Sequence, residues 1–277
     1  MRLSSVLIIG LCLVTACAQS ASGIALEPQA RATALTQYDP ETAFQPSNRV
    51  MEEVDEVLKR AAANNKLALI VMGANWCHDS RGFVQTLNNK RLGQVISDRY
   101  EVLLIDVGYL QRGRDVIDRF GMPVIYGTPT VLVIEPETEL LINRDDMHRW
   151  RDAARIDVDE AISYLISMAT PSARDEAAAA RTEVSPALAA LYAEIDVFER
   201  AQAARIYGGF ARLAPMLAMD HKERPAHFND EWNEVRDLRY AITGDLADLR
   251  AEARRRVEAG ETDISLVYPA YPAFSWE

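Results

Sequence analysis

Cysteine is nearly missing from this sequence: 277 residues hold three, Cys12, Cys17 and Cys77. The first two lie in an apolar N-terminal stretch, so the chain beyond it has one thiol, Cys77. That excludes an internal disulfide there, and with it any cycle between two cysteines; stability has to come from packing. Long hydrophobic runs are also missing. After position 17 no window of roughly 20 apolar residues occurs, so no spanning helix is expected. Positive charge is in deficit, with 30 Lys and Arg against 41 Asp and Glu, a formal net charge of −11. This balance favours solubility and argues against nucleic acid as a partner, and against non-specific binding to anionic lipid. There is no glycine-rich phosphate loop and no Ser-His-Asp order. Of the four histidines, His148, His221 and His227 are scattered with no Cys or His at zinc spacing. They read as solvated or helix-capping, and neither a metal site nor a cofactor is expected.

What is present begins with residues 1–17, which read as an export signal: Arg2, an apolar stretch from Leu3 to Val14, then small residues. Val14-Thr15-Ala16-Cys17 resembles the bacterial lipoprotein box, in which the cysteine is acylated and becomes the new N-terminus. Ordinary cleavage after Ala16-Cys17-Ala18 is the competing reading. By the lipoprotein sorting pattern, the lack of Asp after Cys17 implies the outer membrane. The expectation is a periplasmic protein that meets the membrane through a lipid anchor only. Residues 18–46 are rich in Ala, Ser, Gln and Pro without a period, and read as a tether.

From residue 47 to 170 apolar strands alternate with helices. Val50, Val54 and Leu58 recur at helical spacing, Lys66–Met72 is a buried strand, and Cys77 to about Asn88 is a helix. Val102–Val107, Thr130–Ile134 and Leu140–Ile142 are further strands, the last two forming a hairpin, and helices follow to about Ala169. Short buried strands between helices indicate an α/β layer with a partly parallel sheet. Asp145-Asp146 and Arg149-Trp150-Arg151 read as a salt-bridged surface with an anchoring aromatic. Pro171 marks a break, and residues 171–277 form an all-helical extension. There Ser185-Pro186 is a helix start. Leu188, Leu191, Ile195 and Phe198 line one stripe; Val235, Leu238, Ile242, Leu246 and Leu249 line another that ends at Gly260. An antiparallel helical hairpin follows, with an apolar, proline-broken tail from Leu266 to Trp276.

The chemistry is concentrated in Ala74-Asn75-Trp76-Cys77-His78-Asp79-Ser80 and, about 50 residues on, Gly127-Thr128-Pro129-Thr130. A cysteine in the first turn of a helix faces unpaired backbone N–H groups and the positive end of the helix dipole, which favour the thiolate. His78 adds to this when protonated, Arg81 lies one turn on, and Asp79 opposes it. The two motifs in this order of strands and helices resemble the thioredoxin-like superfamily over residues 48–168, in particular secreted bacterial proteins of the Trp-Cys-His-Asp-Ser type. The resemblance implies a central mixed sheet flanked by helices. It also implies a cis-proline at Pro129 packed beside Cys77, an exposed backbone edge at Thr128 that pairs with an extended substrate peptide, and a substrate-side lid at Trp76. Core packing is the other reading of Trp76.

Ser80 stands where that family carries its resolving cysteine, and Val71 where it carries a buried acid. The Ser80 hydroxyl can hydrogen-bond the thiolate but cannot release a mixed disulfide. What remains is monothiol exchange on proteins, peptides or mixed disulfides, with Cys77, His78 and Ser80 at the catalytic centre, Trp76, Thr128 and Pro129 at the substrate, and an external thiol to resolve the adduct. The alternative is a non-catalytic binding or scaffold module acting through the cis-Pro edge or the helical extension, with Cys77 vestigial.

Overall fold

The computed structural model describes residues 37–182 and 184–277. The four strands are β1 (Leu67–Gly73), β2 (Tyr100–Asp106), β3 (Thr130–Glu135) and β4 (Leu140–Leu141). They form one sheet in the order β2-β1-β3-β4. β1 pairs parallel with β2, Ile70 opposite Leu103, and antiparallel with β3, Ile70 opposite Leu132. β4 closes the edge as an antiparallel partner of β3. The unbroken apolar run of β1 is explained by its central place, with both faces covered.

Alternation along β1 divides the core. Leu67, Leu69 and Val71 face one side with Val131 and Val133 of β3; Ala68, Ile70 and Met72 face the other with Leu132 and Ile134. The first face is covered by α2 (His78–Leu87), a 3-10 helix Met147–Arg155, and α5 (Val158–Met168). Here Trp150, the expected anchoring aromatic, is 1% exposed and wedged edge-on between Phe83 and Tyr164, at 5.0 and 5.2 Å between ring centroids. Its neighbour Arg149 keeps the expected surface role, paired with Glu160 at 2.7 Å, and Asp145 is exposed. Helix α3 (Lys90–Arg99), capped by the Asn89 side chain, leads into β2. The second face carries α1 (Val50–Ala63), α4 (Arg114–Arg119) and the helical extension.

The extension consists of α6 (Pro171–Thr182), α7 (Pro186–Leu217) and α8 (Phe228–Glu258). Ser185 caps α7, its hydroxyl accepting the Leu188 N–H at 3.2 Å. The two predicted stripes meet: Leu191, Ile195, Ile206 and Phe210 pack with Val235, Leu238, Ile242 and Leu246 in a hairpin. Gly209 permits the close crossing, since a Cβ there would lie 2.5 Å from Val235 Cγ2. The tail folds back over the hairpin, burying Leu266 and Phe274 and placing the Tyr271 hydroxyl 2.6 Å from Asp245 Oδ2. No helix among the described residues is long and apolar enough to cross a membrane. The chain thus has the expected α/β thioredoxin-like sheet with a helical C-terminal region.

One expectation needs correction. The tether expected over residues 18–46 ends sooner, because the segment from Tyr38 is docked. Tyr38 and Asn88 exchange two hydrogen bonds at 2.9 and 2.6 Å, and Phe44 and Asn75 exchange two more at 3.0 and 2.9 Å. The Phe44 ring is 1% exposed. An extended segment fixed by side-chain amides has no helical or strand period to betray it.

Candidate functional site

Cys77 is the N-cap of α2, extended at φ −86°, ψ 122°, and its carbonyl accepts the Arg81 N–H at 3.1 Å. The loop from Gly127 enters β3 through a cis Thr128-Pro129 peptide bond. These two turns bring Thr128 to the sulfur twice. The thiol donates to the Thr128 carbonyl oxygen at 3.2 Å, and the Thr128 hydroxyl donates to Cys77 Sγ at 3.3 Å. One residue therefore serves both protonation states: its carbonyl suits the thiol, its hydroxyl the thiolate. Pro129 is buried beside this contact and Thr128 is half-buried.

The other predicted site residues divide. Ser80 does not touch the sulfur. It is fully buried, and its hydroxyl accepts the Ala74 N–H at 3.3 Å. The reason is helical phase: Ser80 lies on the buried face of α2 with Phe83, Val84 and Leu87, whereas Cys77 precedes the first turn. His78 points to solvent, its side chain 77% exposed, with Asp79 Oδ1 at 3.9 Å from Nδ1. Asp79 itself accepts the Ala154 N–H at 3.1 Å, so its carboxylate locks α2 to the 3-10 helix. Arg81 turns away to Glu41, at 2.8 Å. The sulfur is thus approached by neither the expected histidine nor the expected serine. Val71, in the place of the superfamily's acid, is buried. Cys17 lies outside the described residues.

Trp76 is part of a cluster rather than a free lid. Its Nε1 donates to the Gly108 carbonyl at 2.7 Å. Its ring stacks on Tyr109 at 6.4 Å and meets Trp232 of α8 edge-on at 6.2 Å. Cys77 is only 9% exposed and belongs to the same apolar cluster as the hairpin. The hairpin therefore packs on the thiol side of the sheet. Further contacts hold it there: Arg151 lies over the Tyr240 ring at 4.0 Å, Arg114 over the Tyr207 ring at 4.7 Å, and Tyr126 donates to Glu199 at 2.8 Å. Glu199, 2% exposed, is neutralised by Arg250 at 2.6 Å, and Arg144 lies at 3.7 Å.

No family model matches the chain, and no curated protein does. Among solved structures it overlaps a disulphide isomerase from Xylella fastidiosa Temecula1, at 23% identity over 46% of this chain and 96% of that one, with a TM-score of 0.43. The fold assignment rests on strand order and pairing, not on that overlap.

Two functional candidates escaped the sequence reading. Glu199 sits within the α7 apolar stripe, four residues after Ile195. Arg239 sits within the α8 stripe, four residues after Val235 and three before Ile242. It is 4% exposed, and its Nε has no hydrogen-bond partner. A charged residue at an apolar stripe position was the signal available for both.

Proposed function

We propose that this chain is a periplasmic thioredoxin-like protein, tethered through Cys17, that carries out monothiol disulfide exchange through Cys77. The observation that carries the reading is the pairing of the Cys77 sulfur, at the start of α2, with both oxygens of Thr128 before the cis-proline. Cys77, as its thiolate, attacks one sulfur of a disulfide. A Cys77–substrate disulfide forms, the substrate's own S–S bond breaks, and the departing thiolate takes a proton from water. The thiolate of an external thiol then attacks the substrate sulfur of the adduct, forming a new disulfide with the substrate and releasing the Cys77 thiolate, with no net oxidation. Because Cys77 is buried, exchange with a protein substrate requires the α8 contact to open, whereas a small mixed disulfide needs less.

The test is adduct formation with a glutathione mixed disulfide, read by intact mass. The chain is expected to gain one adduct that added thiol removes, and Cys77→Ala to gain none there. A folded chain that forms no adduct overturns the reading. The burial of Cys77 favours a second reading, a binding module in which the sulfur plays no part. In that case partner binding survives Cys77→Ala.

A further inference from the structure

Arg239 is a buried guanidinium without a carboxylate. No hydrogen bond or ion pair engages it among the described residues, its Nε is orphaned, and its neighbours are the faces of Phe210 and Trp232 at 5.4 and 5.5 Å. Rings of this kind only partly compensate a buried charge. Helix geometry says what lies before it. Trp232, Arg239 and Thr243 are seven and four residues apart, hence on one face of α8. Trp232 meets Trp76, the residue before Cys77. Thr243 receives Arg151 Nη1 at 3.4 Å, and Arg151 stands against Gly127, the residue before Thr128, 3.0 Å from where its Cβ would be. Arg239 lies between these two anchors on α8, within electrostatic reach of Cys77.

We propose that Arg239 is the built-in counter-cation of the Cys77 sulfur: α8 holds an unpartnered guanidinium near the thiol, and ionisation of Cys77 completes an ion pair inside the protein. This rests on the reading of Cys77 as a working thiolate and adds to it that the helical extension is part of the site. The surrounding charges fit. Burial pushes Arg239 down to about 10, and its field includes Tyr240, Cys77, Arg236 and Arg151; it stays cationic at neutral pH. On the α2 side, His78 is solvent-facing, Asp79 is spent on Ala154, and Arg81 on Glu41. A desolvated cation beside a thiol acts with little screening.

Thiolate absorbance near 240 nm, titrated in the full chain against a Cys77→Ser reference, tests this. Arg239→Met is expected to raise the ionisation midpoint by about one pH unit or more, a tenfold loss of thiolate near neutrality. Arg239→Lys should recover most of it, and the thermal midpoint of Arg239→Met should not fall. A purely structural arginine would move the thermal midpoint and leave the ionisation midpoint in place, and that result overturns the proposal. Should Arg239→Met not fold, Arg239→Gln carries the same comparison. Absorbance reads ionisation whether or not exchange occurs. A shifted midpoint in a chain that forms no mixed-disulfide adduct would therefore overturn the exchange reading and leave the counter-cation standing.

Discussion

Along β1 every side chain from Leu67 to Met72 is aliphatic or thioether and fully buried, whereas α7 and α8, which share the apolar cluster of one sheet face, add rings, guanidinium groups and one carboxylate to their seating on the layers. Trp76 meets Trp232, Arg151 meets Tyr240, Arg114 meets Tyr207, and Tyr126 meets Glu199. The sheet is held by non-directional hydrophobic burial, in proportion to area. The hairpin adds to that burial contacts that depend on geometry and charge, as in interfaces between domains. The first kind fails all at once. The second can be lost one contact at a time.

The largest expected effect comes from the sheet. Ile70→Ala removes a fully buried side chain from the central strand and should cost about 4 kcal/mol. Chemical denaturation should show the loss in one transition shared by all probes. Glu199→Ala should cost about 3 kcal/mol, because it leaves the Arg250 charge and the Tyr126 hydroxyl without their partner. The loss should appear first at the hairpin, as a change in the fluorescence of Trp76 and Trp232 while far-UV circular dichroism holds. If both probes change together, the two regions are one cooperative unit and the contrast fails. The smallest effect is with acid. The hydrogen bonds from Arg212 hold the Glu231 carboxyl below its ordinary 4.5. Its contribution to the hairpin is fully present above that value and is lost as pH falls through the lower folded value. A thermal midpoint followed from pH 6 to 3 should drop in the wild type by an increment that Glu231→Gln lacks.

The same contrast explains what could be read from the sequence. Continuous apolar runs announce β1 and β3, and three-and-four spacing announces α7 and α8, because burial by area leaves a periodic trace. The docking of the hairpin leaves none: a single Arg or Glu within a stripe reads as an imperfection until its neighbours in space are known. At the site, the two motifs meet in space: Cys77 contacts Thr128, which precedes the cis-Pro129. Ser80 was assigned to the sulfur by its place in the motif, although its spacing of three, four and seven to Phe83, Val84 and Leu87 already put it on the buried face. Phe44 was lost in an aperiodic stretch because amide side chains, not a repeat, fix it.

The Phe44 segment bears on Gly73, the last residue of β1. A Cβ placed on Gly73 would lie 2.5 Å from the Phe44 ring and 2.8 Å from the Ser80 hydroxyl, so aromatic ring, bare backbone and small hydroxyl converge on one spot. Gly73 is thereby held to glycine: a side chain there would displace the Phe44 ring or the Ser80 hydroxyl that accepts the Ala74 N–H. One bare position at the end of β1 therefore ties the docking of Tyr38–Pro46 to the seating of α2, and Gly73→Ala would disturb both together.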